Sequence, residues 1–274
     1  MVAMKKILYL TDLYYVAKGR NYYEEDLYIT AQLKDTFDLV LCHPCNVRSF
    51  EQDVDVIVFR NTGGVSGFKN EYHAFVDRVR HNNLKTFNEF VGKADMCGKQ
   101  YLLDLTAENF PVIPTVENLK NLSVLPNTEK YVVKPKDGAD SVGLKFVTKE
   151  ELRKGGNNYD NMLIQPAIDF VYEVSFYFLN DKLEYALYAP DKTQRWNLKK
   201  FAYSDEDLAF AKKFIRWNNI KNGIQRVDAC RTTEGDLLLV ELEDLNPYLS
   251  ILELDDATRG KFLTDWIDVL DRML

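Results

Sequence analysis

RVDACRTTEGDLLLVELEDLNPYL, residues 226–249, is the stretch on which the fold turns. Apolar residues dominate it, yet Arg226, Asp228, Glu241 and Glu243 interrupt what reads as two buried strands. Thr233-Glu234-Gly235-Asp236 has the composition of a turn. A hairpin centred between Glu234 and Gly235 sets Asp228 opposite Glu241 and Arg226 opposite Glu243. Residues two apart share one face of a strand, so all four polar side chains fall on one face, about 4.5–5.5 Å apart across each facing pair. Val227, Ala229, Val240 and Leu242 are left for the other face. A slip of one residue would exchange the two sets. Asp228 facing Glu241 is a like-charge contact that costs stability unless a cation intervenes. A hard divalent cation meets that need, because Mg2+ takes one or two carboxylates together with phosphate oxygens and water. An arginine–acid network on a solvated sheet face satisfies the same pattern.

Two earlier stretches carry further chemistry. KYVVKPKDGADSVGLKF (130–146) predicts strands at 130–135 and 142–147 around a loop that holds Gly138 and Ser141. Lys134 at a strand end, beside a loop with free N–H groups, suits phosphate oxygens. The P-loop pattern G-x4-G-K-[ST] is absent, and a plain hairpin with a surface lysine reads equally from these residues. In MLIQPAIDFVYEVSFYF (162–178) the apolar Met-Leu-Ile run suits one wall of an adenine site. Backbone groups from Gln165 to Ile168 suit the edge of the base, and Glu173 suits ribose hydroxyls or a metal. A buried strand with one surface glutamate is the alternative.

The chain has 274 residues, enough for two or three lobes. Hydrophobic content of 46% with 28% charged residues is ordinary for a globular protein. The net charge of −7 argues against general nucleic-acid binding, which needs a basic footprint, but leaves room for a small anion at local lysines. No apolar run reaches membrane-spanning length, and the ILYL run near the N-terminus is too short for a signal-peptide core, so a cytoplasmic protein without membrane attachment is expected. Cys42-His43-Pro44-Cys45 has C-x2-C spacing, but no second pair completes a structural zinc site. The three histidines are scattered, and no Ser-His-Asp or Cys-His pattern appears.

Strand and helix alternate at first. KKILYL (5–10), FDLVLCH (37–43) and DVDVIVFRN (53–61) read as strands, with a helix in 24–35 and another over 65–83 that buries Phe68, Tyr72, Phe75 and Val79. This predicts a parallel α/β lobe ending near residue 88. Beyond it, 98–115 reads as a helix, then a turn, then an extended Pro-flanked segment, and helices are expected over 148–156, 204–220 with Ser204 as N-cap, and 257–274. Two strands within 172–190 join at Asn180-Asp181. Tyr14, Tyr15, Tyr22 and Tyr23 cluster early, either packing the lobe or lining a substrate pocket.

Taken in this order, the three constellations resemble the ATP-grasp superfamily. Within it they are most similar to the carboxylate–amine ligase branch of glutathione synthetase, D-alanine–D-alanine ligase and the cycloserine-forming cyclo-ligases. The resemblance spans Arg60 to Leu252. It implies an α/β N-terminal lobe followed by a two-lobed α+β ATP-grasp fold, divided as 1–88, 89–165 and 166–274. Asn88, Lys99 and the FPVIPT segment (110–115) resemble an early family motif. The family's Asp-Lys pair reads Gly98-Lys99 here; a slipped alignment places Asp95-Met96 there, and Lys93 is the rival to Lys99 as first ATP lysine.

The resemblance implies that Lys99 and Lys134 reach the ATP phosphates and that the loop with Gly138 and Ser141 covers them. It further implies that Gln165, Ile168 and Glu173 line the nucleoside, and that Asp228, Glu241 and Glu243 hold Mg2+, with Mn2+ as a substitute. Glu243 stands where most relatives have Asn. Arg226 resembles the arginine that steadies the transferred phosphoryl group or the acyl phosphate, and Arg60 and Asn61 resemble an element contacting substrate. The implied activity joins a small amino-acid-like carboxylate to an amine through an acyl phosphate, and the resemblance allows a homodimer. An ATP-grasp phosphotransferase and a non-catalytic nucleotide-binding scaffold are the rival readings.

Overall fold

In a computed structural model of the chain, residues 3–17, 19–60, 64–137, 143–155, 159 and 162–274 are described. The first lobe is a parallel sheet of β4 (Asp38–Cys42), β1 (Lys6–Leu10), β5 (Val56–Phe59) and β6 (Thr86–Phe87), in that order. Alternation along the strands assigns the two faces. Ile7, Tyr9, Val56 and Val58 meet α1 (Tyr23–Leu33) and the C-terminal helix α6 (Asp256–Met273). Leu8, Leu10, Ile57 and Phe59 meet α2 (Lys69–Asn82). The expected α2 face is buried, with Phe68, Tyr72, Phe75 and Val79 at most 8% exposed. The segment starts as a 3-10 turn over Val65–Phe68, not as an α-helix from residue 65.

A two-strand hairpin, β2 (Val16–Ala17) and β3 (Arg20–Asn21), leads into α1. After β6 comes α3 (Gln100–Ala107). It starts two residues later than expected because Gly98 sits at φ 74°, outside helical space and costly for a residue with a Cβ. A three-stranded antiparallel sheet follows, ordered β8 (Lys145–Thr148), β7 (Lys130–Pro135), β9 (Met162–Pro166), with α4 (Lys149–Gly155) closing its core through Leu152.

The largest sheet is antiparallel. It runs β12 (Lys199–Lys200), β11 (Lys182–Ala189), β10 (Phe170–Leu179), β13 (Ile224–Thr232), β14 (Leu237–Glu243). β10 and β11 meet at Asn180, which adopts φ 58°. One face carries Phe176, Phe178, Val227, Leu239 and Leu242 and is covered by α3 and by α5 (Asp205–Asn218). Each such side chain contributes about 1.5–3 kcal/mol on burial. The start of α5 is fixed by a capping box in which Ser204 and Asp207 satisfy each other's backbone N–H. The opposite face stays open toward the other two lobes and forms the floor of a cleft. Among the described residues no helix is long and apolar enough to cross a membrane.

Arg60 ends the third strand of the first lobe, and here the structure departs from expectation. It does not line the cleft. Its side chain is 1% exposed, donating from Nη1 to Pro247 O at 2.6 Å and from Nη2 to Glu25 Oε1 at 2.9 Å, with Asp26 3.5 Å from Nε. Glu25 in turn accepts from the backbone N–H groups of Leu249 and Ile251. Arg60 therefore clamps the first lobe to the segment that follows β14. Its expected neighbour Asn61 lies outside the described residues.

Candidate active site

The hairpin β13–β14 has the expected register, with Arg226 opposite Glu243 and Asp228 opposite Glu241. Gly235, at φ 98°, makes the turn. A bulge between Asp228 and Ala229 then shifts the pairing by one residue, so Ala229 faces Leu239, not Val240. Val240, expected on the buried face, lines the cleft instead. β10 extends the pattern: Tyr177 lies beside Arg226 and Ser175 beside Asp228. The floor thus carries two polar rows, Tyr177-Arg226-Glu243 and Ser175-Asp228-Glu241.

The cleft above this floor has a volume of about 620 Å3, within the usual range for small-ligand sites. One wall is the turn Asp95–Lys99 with Lys136 and Asp137; the other comes from the first lobe, including Tyr22, Lys69 and Tyr72. Tyr22 stacks edge-on against Tyr248 with ring centres 4.6 Å apart, whereas Tyr14 packs on Tyr23 and is 74% exposed. Of the tyrosine cluster, only Tyr22 lines the cleft.

Cations of the chain neutralise the acids. Arg226 holds both oxygens of Asp228 at 2.8–3.1 Å, reaches Glu243 at 2.5 Å and donates to Tyr248 O at 2.8 Å. Lys99 Nζ bonds Glu241 and lies 3.9 Å from Asp95. The like-charge problem seen in the sequence is thus met first by Arg226 and Lys99. Burial alone would lift the Glu241 carboxyl, but Lys99 and Lys134 outweigh it and hold Glu241 at about 2. Burial, only partly offset by Lys99, pushes Asp95 up to about 7. Burial also lifts Glu243 well above the usual carboxylate range despite Arg226.

Asp95, Glu241 and Glu243 can each place a carboxylate oxygen within 4.8 Å of the others. This is a correction to the expected trio, because Asp228 is turned to Arg226 and Asp95 stands in the cluster. Three acids so close cannot all ionise without a compensating cation. Their all-oxygen donor set fits Mg2+ in preference to softer metals.

Lys99 is at the site, while Lys93 lies over the Trp217 ring at 4.6 Å and does not line the cleft. Lys134 stands behind the lining, within electrostatic reach of Glu241, Lys99 and Asp95, and burial lowers it to about 8. Glu173 lines the cleft and pairs with Arg195 at 2.8 Å; burial raises its carboxyl. Gln165 and Ile168 do not line the cleft. The Gln165 side chain turns inward, with Nε2 donating to Thr115 Oγ1 at 2.8 Å, and Ala167 N–H is bonded to Lys130 O at 3.0 Å. Gly138 and Ser141 lie outside the described residues.

Cys42 and Cys45 are unpaired and stand apart from the cleft. Between them His43 Nδ1 accepts from Cys45 N–H, and Nε2 lies 3.1 Å from Asp12. Sequence reasoning met Asp95 only as a slipped alternative to the Gly98-Lys99 pair, and it missed Lys136 and Arg195. Asp95 opens a single 3-10 turn, Lys136 follows the end of β7 and Arg195 lies between strands, places where residue type alone carries no face.

A nucleotide-sized cleft between a three-stranded and a five-stranded antiparallel lobe, behind a parallel α/β lobe, is the architecture of the ATP-grasp ligases, and the chain has that fold. No family model matches it. The cycloserine biosynthesis protein DcsG of Streptomyces lavendulae is 25% identical over 239 residues, 74% of this chain and 79% of that protein. The crystal structure of D-cycloserine synthetase DcsG matches with TM-score 0.74 at 18% identity, over 98% of this chain and 100% of that one. D-alanine–D-alanine ligase of Bacillus anthracis, complexed with ATP, matches with TM-score 0.70 at 14% identity, over 100% and 96%. The ATP-grasp ligase PsnB, complexed with a precursor variant, Mg and ADP, matches with TM-score 0.67 at 11% identity, over 98% and 99%.

Proposed function

We propose that the protein is an ATP-dependent carboxylate–amine ligase acting through an acyl phosphate on a small amino-acid-like substrate. The observation that carries this reading is the pair of polar rows on the cleft floor, opposed by Lys99 and backed by Lys134, inside an ATP-grasp fold related to ligases. In this reading the ATP phosphates would be met by Lys99, backed by Lys134, and the ribose by Glu173. Asp95, Glu241 and Glu243 would hold Mg2+, while Arg226 and Asp228 flank them on the floor. Bound there, Mg2+ supplies charge neutralisation on the phosphate oxygens.

The substrate carboxylate attacks the γ-phosphorus, the bond to the β–γ bridging oxygen breaks, and ADP leaves. Arg226 faces the charge that develops on the transferred group. An amine then attacks the acyl carbon and loses a proton, and phosphate departs as the amide forms. This route needs no covalent intermediate on a side chain of the protein. A screen of amino acids and short peptides for Mg2+-dependent ADP release, with the product mass measured, tests the proposal. ADP with an amide whose mass is that of the two substrates less one water supports ligation; ADP with a stable phosphorylated product and no amide overturns it in favour of a phosphotransferase.

The reading also fixes a pH dependence. Lys134 titrates at about 8 in the folded chain, against 10.5 as an ordinary lysine. Between those values the unfolded chain binds the extra proton, so this group makes folding more favourable as pH rises across the window. Nucleotide affinity moves the other way, because only protonated Lys134 attracts phosphate. Affinity for an ATP analogue should weaken above pH 8 by up to about tenfold per pH unit. Lys134→Met should bind more weakly and lose that limb of the profile. A wild-type profile flat from pH 7 to 10 would remove Lys134 from the phosphate site.

A further inference from the structure

One buried acid beside the cleft has no part in the chemistry above. Asp244 follows Glu243 directly, and its side chain is 0% exposed. Oδ1 accepts from Met96 N–H at 2.9 Å. Oδ2 accepts from Ala94 N–H at 3.1 Å and from Asn218 Nδ2 at 3.0 Å. These donors bracket the turn from which Asp95 and Lys99 project toward Glu241. The turn is closed by Cys97 N–H on Ala94 O and Gly98 N–H on Asp95 O, and Lys99 N–H is anchored on Lys136 O. Asn218 completes the set: its Oδ1 accepts from Lys93 N–H at 2.6 Å and its Nδ2 donates to Gln225 Oε1 at 2.8 Å. Gly92 leaves the space for Asp244, because a Cβ there would lie 2.1 Å from Oδ2.

We propose that Asp244 is a positioning residue, which locks the 94–98 turn to the end of β14 and so sets Lys99 and Asp95 in place over Glu241 and Glu243. The consequence for catalysis rests on the ligase reading. A carboxylate is required because both oxygens accept and all three partners donate. An asparagine would point its NH2 at an N–H and break at least one bond, and an apolar residue would leave two backbone donors buried without acceptors. The same strand end thus presents acids to the cleft and holds the opposing lysine in register. A sequence pattern of glycine, a short turn and lysine, with a distant Glu-Asp pair, is one mechanical unit.

The test uses Asp244→Asn, Gly92→Ala, Asp244→Ala and the double variant D244A/G92A. Two quantities are read below the melting temperature of each folded variant: affinity for Mg2+ with a nonhydrolysable ATP analogue, and the alkylation rate of Cys97. Cys97 is an exposed thiol within the turn whose Sγ contacts Gly92 O. In a Cys45→Ser background it reports the turn directly.

Asp244→Asn and Gly92→Ala should each weaken nucleotide binding by about tenfold or more, a factor that one lost hydrogen bond to a buried donor can supply. Each should also speed Cys97 alkylation severalfold. In the Asp244→Ala background Gly92→Ala should add little, because its methyl group enters the vacated space and meets only the flexible end of Ile220, at 2.9 Å. That double variant also serves if Asp244→Asn fails to fold. Wild-type affinity and wild-type Cys97 reactivity in folded Asp244→Asn or Gly92→Ala, or full additivity of the two changes, would overturn the proposal. Should the wild type bind no ATP analogue, the ligase reading fails, and Cys97 alkylation still decides whether Asp244 holds the turn.

Discussion

Glu241→Gln should lower Mg2+-dependent ADP release by about a thousandfold or more, roughly 4 kcal/mol of transition-state stabilisation at 1.36 kcal/mol per tenfold. The change keeps shape and removes only charge. Lys99 and Lys134 hold the Glu241 carboxyl below the usual carboxylate range, at about 2. It belongs both to the row on the floor and to the group that can chelate one ion. The change leaves Asp95 as the one carboxylate facing Lys99 and replaces an anionic donor to the metal with a neutral amide oxygen. Circular dichroism should show the variant folded, because Gln retains an acceptor for Lys99. Steady-state ADP release is the measurement, and retention of more than a tenth of wild-type activity would separate Glu241 from phosphoryl transfer.

Arg60→Met should destabilise the chain by about 3–5 kcal/mol, the usual consequence of stripping one partner from a buried ionic cluster. That is a large part of the roughly 5–15 kcal/mol available to a domain. The side chain is 1% exposed, with Glu25 at 2.9 Å and Asp26 at 3.5 Å, and Asp26 also accepts from Tyr9 and Thr11. Without the guanidinium, two acids remain buried with no counter-charge. Adding Glu25→Gln should recover part of the loss, since one of those charges is then gone. Urea denaturation midpoints with unchanged slope measure both effects. A substrate contact would behave differently: kcat/KM would fall while the denaturation midpoint stayed within about 0.5 kcal/mol of wild type, the range of an ordinary surface change.

These two residues show what was and was not legible in the chain. Glu241 and its neighbours were legible because a strand has period two and Gly235 pins the turn. Position in the sequence therefore fixed the face of Arg226, Asp228, Glu241 and Glu243 without knowledge of the rest. The bulge at Asp228 was not legible, since Ala229, Leu239 and Val240 carry no turn chemistry, and Val240 moved to the cleft for that reason. Arg60 read as a substrate contact because an arginine at a strand end looks the same whether it meets solvent or a buried acid. Its partners Glu25 and Asp26 sit in the first turn of α1, where acids are ordinary as complements to the helix dipole. Only the packing of that helix buries them.

The same limit applies to Asp95 and Asp244. Each lies in a segment whose course is set by contacts more than a hundred residues away in sequence, such as Ala94 with Asp244. No local period encodes such a contact. Lys99 was legible as a candidate, but its choice over Lys93 depended on the Gly98 turn that aims it into the cleft while Lys93 settles on Trp217.

The most direct measurement is a crystal structure with Mg2+ and a nonhydrolysable ATP analogue. The triphosphate should lie over Glu241 and Glu243, with the metal on their carboxylates and Lys99 moved from Glu241 to a phosphate oxygen. A nucleotide bound away from that floor, with the Lys99–Glu241 and Arg226–Asp228 pairs intact and no metal on either glutamate, would contradict the assignment.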